Sequence, residues 1–138
     1  MKELATLLRM MQLYTHNAHN NAAGPTFFED HKFLGKLYPE YEVAYDSVVE
    51  RIIGLYGVAS LDLHKIQEQA ILMQDGMPVI EPDNKMYFAK ILECEVKLCK
   101  HVEQLVTVPG VTEGTKQLLG DLANESESRQ YKIKARLR

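Results

Sequence analysis

Apolar residues recur at helical spacing through most of the chain. Leu4, Leu7, Leu8, Met11, Tyr14 and Ala18 fall at three- and four-residue intervals, which predicts an amphipathic helix over residues 2–20. Asn20-Asn21-Ala22-Ala23-Gly24-Pro25 breaks that rhythm with turn formers. Thr26 then reads as an N-cap, with Glu29 three positions on completing a capping box. A second stripe of Leu34, Leu37, Tyr38, Tyr41, Tyr45, Val48 and Ile52 predicts a helix to about residue 53, stopped by Gly54 and Gly57. Pro39 falls inside it, and its ring pressing on the carbonyl of Gly35 predicts a kink.

Residues 60–70 read as a short helix, and 74–82, with Gly76, Pro78 and Pro82, as an irregular crossover. A third long helix is predicted from about Asp83 to Val106, with Tyr87, Ile91, Val96, Cys99, Val102 and Val106 inward, and Pro109-Gly110 ends it. Thr112 caps a fourth helix carrying Leu118, Leu119, Leu122 and Ala123. The last eight residues alternate instead: Tyr131, Ile133, Ala135 and Leu137 against Lys132, Lys134, Arg136 and Arg138. A period of two conflicts with a helix and predicts a tail that frays or packs on a partner. The expected fold is all-α. Four long helices with one long crossover make the ferritin-like version of a four-helix bundle, with a short extra helix in the crossover between helices two and three.

Composition narrows the field. A chain of 138 residues is the size of one domain, residues 1–138, and 46% apolar residues suffice for a core. With 25% charged residues and a net charge of −3, no generic electrostatic grip on nucleic acid or an anionic membrane is indicated. No apolar run is long enough to span a membrane. Met1-Lys2-Glu3-Leu4 enters the amphipathic pattern directly, without the apolar block of a signal peptide. Cys94 and Cys99 are wrongly spaced for a disulfide framework or zinc knuckle. A reducing cytoplasm is the expected location.

The candidate chemistry lies in His19, His31, Asp46 and Glu50. Two imidazoles and two carboxylates are the mixed N/O set that suits a redox-active first-row metal, iron above all. Asp46 and Glu50 are an i,i+4 pair and emerge from one helix face about a turn apart. His31 cannot join them, because fifteen residues of helix span roughly 22 Å while metal–ligand bonds are about 2 Å. If all four ligands meet, the imidazoles and the carboxylates come from different chains. An antiparallel hairpin through the turn near Ala23 would make His19 and His31 neighbours, with Asp46 and Glu50 at its far end. A two-fold axis would then build two identical sites. The plain alternative is a surface histidine or two and a solvated acidic face, balanced by Arg51; His16 would point to solvent. The chain contains no Glu-x-x-His, the motif that places two metals inside a single bundle, and no nucleophile elbow, P-loop, dinucleotide fingerprint or His-Glu-x-x-His.

The segment from about Asn17 to Gly57 resembles the Dps family of mini-ferritins, the DNA-binding proteins from starved cells. That family pattern runs His, Gly-Pro turn, two-aromatic helix start, second His, and later Asp-x-x-x-Glu-Arg. The chain has His19, Gly24-Pro25, Phe27-Phe28, His31 and Asp46-Ser47-Val48-Val49-Glu50-Arg51 in that order. The resemblance implies a hollow shell of twelve subunits built from two-fold dimers. It implies ferroxidase sites at the dimer interface, with His19 and His31 from one subunit and Asp46 and Glu50 from the other. It also implies oxidation of Fe(II), commonly with hydrogen peroxide, and storage of ferric mineral, which suppresses hydroxyl radicals and so protects against oxidative stress. Iron is the expected metal, with zinc or another divalent ion as a possible competitor. Binding should weaken as pH falls toward the imidazole range, because metal ligands must be unprotonated. The chain departs from the family at Asn20, usually Trp, and at Gly35, often an Asp that helps hold a second iron. The rival readings are a DNA-compacting or structural shell with weak or no ferroxidase activity, its basic tail on DNA, and a helical interaction protein without metal.

Overall fold

The turn formers that precede Thr26, together with Gly57, do cut the chain into helices, whereas Gly54, expected to help stop the second helix, lies inside it. The computed structural model describes residues 1–79 and 81–138. Their order is α1 (Lys2–Asn21), α2 (Phe27–Tyr56), a 3-10 turn at Val58–Ser60, α3 (Leu63–Asp75), α4 (Asn84–Leu105) and α5 (Glu113–Leu137). Among the described residues there is no strand, in line with the all-α expectation. No helix among them is long and apolar enough to cross a membrane. The predicted crossover at 74–82 includes residue 80, which lies outside the described residues.

The chain divides into two compact units, Met1–Tyr87 and Phe88–Arg138. In the first, α1 packs against both α2 and α3, so Leu4, Ala5, Thr6, Leu7 and Leu8 are all buried. Leu34, Tyr41 and Val48 supply fully buried side chains from α2, and Ile66 and Ala70 are buried on α3. The α1–α2 turn needs a left-handed residue, and Gly24 provides it at φ 85°. Gly57, also at φ 85°, ends α2 while its N–H donates to the Ile53 carbonyl at 2.8 Å.

Several local expectations are corrected. Thr26 occupies the N-cap position of α2, but no side-chain capping bond forms. Its hydroxyl instead donates to the buried Asp30 carboxylate at 2.7 Å. Pro39 lies inside α2, as the sequence placed it. α3 starts later than expected because Asp62 caps it, accepting from the Lys65 N–H at 3.0 Å, and continues to Asp75 because no helix breaker intervenes before Gly76. On α4, Val96 and Cys99 are only half-buried, while Glu95 and Leu98 are fully buried, and Val106 lies just beyond the end of the helix.

The largest correction concerns the C-terminal tail, which is the end of α5. Beyond the buried Thr115 of its first turn, Leu119, Leu122, Ser126, Arg129 and Ile133 form its buried stripe, at alternating three- and four-residue steps. Two of the five are polar, which is why apolar periodicity alone does not reveal it. The Thr112 hydroxyl caps the helix by accepting from the Thr115 N–H at 3.2 Å, as expected.

Cys94 is buried on α4, and burial pushes its thiol up to about 11, more than Lys97 pulls it down. The folded protein thus keeps a proton that the unfolded chain loses above the ordinary value of 9.0. Stability should therefore fall as pH rises between these values, by about 1.4 kcal/mol per pH unit from this group. Urea midpoints of wild type and Cys94→Ala, compared at about pH 8.5 and about pH 10.5, isolate the effect: wild type should lose more. Parallel losses would contradict it.

Candidate metal centre

The cross-helix pairs define how α1 and α2 run. His19 meets His31, His16 meets Tyr38, and Arg9 lies over the Tyr45 ring at 3.8 Å. As α1 numbers fall, α2 numbers rise, so the two helices form an antiparallel hairpin.

At the turn, the hairpin is held by two side chains from outside it, Asn84 and Tyr87. Asn84 accepts from the Ala23 N–H at 3.1 Å and donates to the Ala23 carbonyl at 2.8 Å. Its amide also donates to Asp30 at 3.0 Å. Asn21 donates to the Tyr87 hydroxyl at 2.8 Å, and that hydroxyl donates to the Glu81 carbonyl at 2.5 Å. Asp30 is 2% exposed and sits in the first turn of α2, where a carboxylate suits the helix N-terminus. The next residue is His31, so this network sets the position of the second imidazole.

His19 and His31 are brought together. Their rings stack with centroids 3.8 Å apart and planes 28° from parallel. The His19 Nδ1 lies 2.9 Å from the His31 carbonyl oxygen. A carbonyl only accepts, so Nδ1 carries the hydrogen and, in the neutral ring, Nε2 holds the lone pair. A backbone carbonyl is a common outer partner for a metal-ligating histidine. Phe27 flanks His31 at 4.9 Å between centroids.

His16 departs from its sequence reading. It is half-buried and stacked flat on Tyr38, with centroids 4.0 Å apart and planes 11° apart. Its ring centroid is 6.4 Å from that of His19, a spacing already implicit in their i,i+3 separation. What sequence periodicity lacked was Tyr38 as a platform on the facing helix.

Asp46 and Glu50 are exposed on α2, one turn apart, on the half of the helix remote from His31. The chain therefore joins the histidines to each other and the acids to each other, but not the two pairs. Within one chain, no three His, Cys, Asp or Glu side chains among the described residues form a group able to hold a metal ion.

An all-α chain that pairs two histidines across a hairpin and carries an acidic pair on the same long helix fits a class of helical metal-handling proteins. A sequence model of the ferritin-like domain matches residues 2–138, essentially the whole chain. The chain belongs to the ferritin-like family. At the level of that family, iron storage and ferroxidase-type chemistry are the associated functions. No curated protein and no solved structure matches the chain.

Proposed function

We propose that the chain is a Dps-type mini-ferritin, a ferroxidase that oxidises Fe(II) with hydrogen peroxide and stores the ferric product in a hollow dodecamer. In this reading the fold is a four-helix bundle with α3 as the extra helix of the crossover, and the protein works in the cytoplasm. The observation that carries it is the split of the donor set along α2. His31, paired with His19, and the Asp46/Glu50 pair are about 22 Å apart on one helix. A second copy running antiparallel across a two-fold axis would bring each pair to the other, twice. Exposed apolar neighbours support such a partner: Phe28, 82% exposed, lies one turn before His31, and Val43, 66% exposed, lies one turn before Asp46.

In the joint site the two carboxylates offset the charge of the bound Fe(II), and His19 offers Nε2. Two Fe(II) ions give one electron each to one peroxide, which takes up two protons and leaves as two waters. The same N/O donors also accept zinc, which should compete.

Fe(II) and peroxide mixed with wild type and with Asp46→Ala/Glu50→Ala test the reading, with ferric absorbance as the readout. The variant should lose at least about 100-fold in rate, since removing two ligands costs more than removing an outer-shell partner. Equal rates for both proteins would overturn it, and a monomeric mass would remove the shell.

A DNA-compacting shell is the second reading, favoured by exposed Lys132, Lys134 and Arg138 near the end of α5. DNA retention on a gel that needs residues 131–138 would support it.

A further inference from the structure

Near the candidate site, the His19 side chain of α1 comes close to the α2 backbone at Gly35. A Cβ at that position would lie 2.9 Å from His19 Cε1 and 3.1 Å from His19 Nδ1. The first distance is one that real Cβ atoms essentially never show. The imidazole therefore occupies the space a side chain would take, lying against the bare backbone of the facing helix. From that seat Nδ1 reaches the His31 carbonyl at 2.9 Å and the ring stacks on His31.

We infer that Gly35 is a positioning residue for His19: its missing side chain seats the imidazole so that Nδ1 donates to the His31 carbonyl and Nε2 faces the metal. Glycine is a markedly poorer residue than alanine in a helix interior. Nothing about the φ of Gly35 requires it, since the left-handed glycines are Gly24, Gly57 and Gly110. The close approach of His19 is the reason left. An acidic side chain at position 35 and His19 in this seat exclude one another, so position 35 contributes no carboxylate beside the paired imidazoles. The metal-facing part of the inference rests on the ferroxidase reading; the seat and the tautomer do not.

The test separates the two. In magic-angle-spinning spectra of 15N-histidine-labelled protein without metal, one Nδ1-protonated ring should be assignable to His19 by its loss in His19→Ala. Gly35→Ala should abolish that signature. Thermal melts supply a second readout. In the His19→Ala background, Gly35→Ala should raise the midpoint by about 3 °C through helix propensity. In the wild-type background that gain should vanish. An unchanged Nδ1-protonated signal in Gly35→Ala, or equal gains in both backgrounds, would overturn the seat. Zinc titration then probes presentation of Nε2: Gly35→Ala should weaken binding by about 10- to 100-fold. Equal zinc affinity would overturn the positioning role. A wild type that binds no zinc and oxidises no Fe(II), yet shows the tautomer difference, would instead sink the ferroxidase reading and leave the seat standing.

Discussion

Dimers assembled from equal parts of His19→Ala/His31→Ala and Asp46→Ala/Glu50→Ala subunits are expected to recover about a quarter of wild-type Fe(II) oxidation, although each variant alone is inactive. The value follows from two-fold symmetry. Random pairing puts about half of the subunits in mixed dimers, and each mixed dimer holds one site with all four ligands and one with none. The reason lies in the hairpin: His19 and His31 stack at 3.8 Å, while Asp46 and Glu50 stand exposed about 22 and about 28 Å from His31 along the same helix. No rotamer change closes such a gap. The variants are unfolded, mixed and refolded together, and ferric absorbance is followed after adding Fe(II) and peroxide. Recovery near zero in shells shown by mass to be mixed would place the four ligands in separate sites or in none.

The second large effect concerns stability. Glu95 on α4 is fully buried, and Arg129 on α5 is only 6% exposed. The guanidinium donates from Nε to Oε1 at 2.6 Å and from Nη2 to Oε2 at 3.4 Å. The Ser126 hydroxyl donates to Oε2 at 2.5 Å, and Gln130 reaches the Glu95 carbonyl at 3.4 Å. Removing the cation strands a buried carboxylate, so Arg129→Met should cost about 3–5 kcal/mol. A joint Glu95→Met/Arg129→Met change should be near neutral or stabilising, because the pair's attraction barely exceeds the desolvation of its members. Chemical denaturation of wild type, both single variants and the double variant closes the cycle. A single-variant loss below about 1 kcal/mol would mean that water reaches this pair freely.

Much of the chain's plan is local and therefore readable from its letters. Turn formers at residues 22–25, Gly57 and the Thr112 cap mark where helices stop and start, because each acts through its own backbone. The separation of His31 from Asp46 and Glu50 is likewise arithmetic: residue count times helical rise. That arithmetic alone required any four-ligand site to span two chains.

Tertiary structure decided what depends on residues distant in sequence. The tail is helical because Arg129 and Ile133 are buried on one stripe, and the stripe is invisible to apolar periodicity while Glu95, its polar partner, sits 34 residues away. Thr26 makes no capping bond, and its hydroxyl instead donates to Asp30, whose carboxylate also accepts from Asn84. His16 leaves solvent for the face of Tyr38. Gly35, which from sequence reads as a missing ligand, is the space into which His19 fits. Spacing selected the candidate ligands, but only the close contact of two antiparallel helices determined which nitrogen of His19 carries the proton, because that depends on the carbonyl it meets.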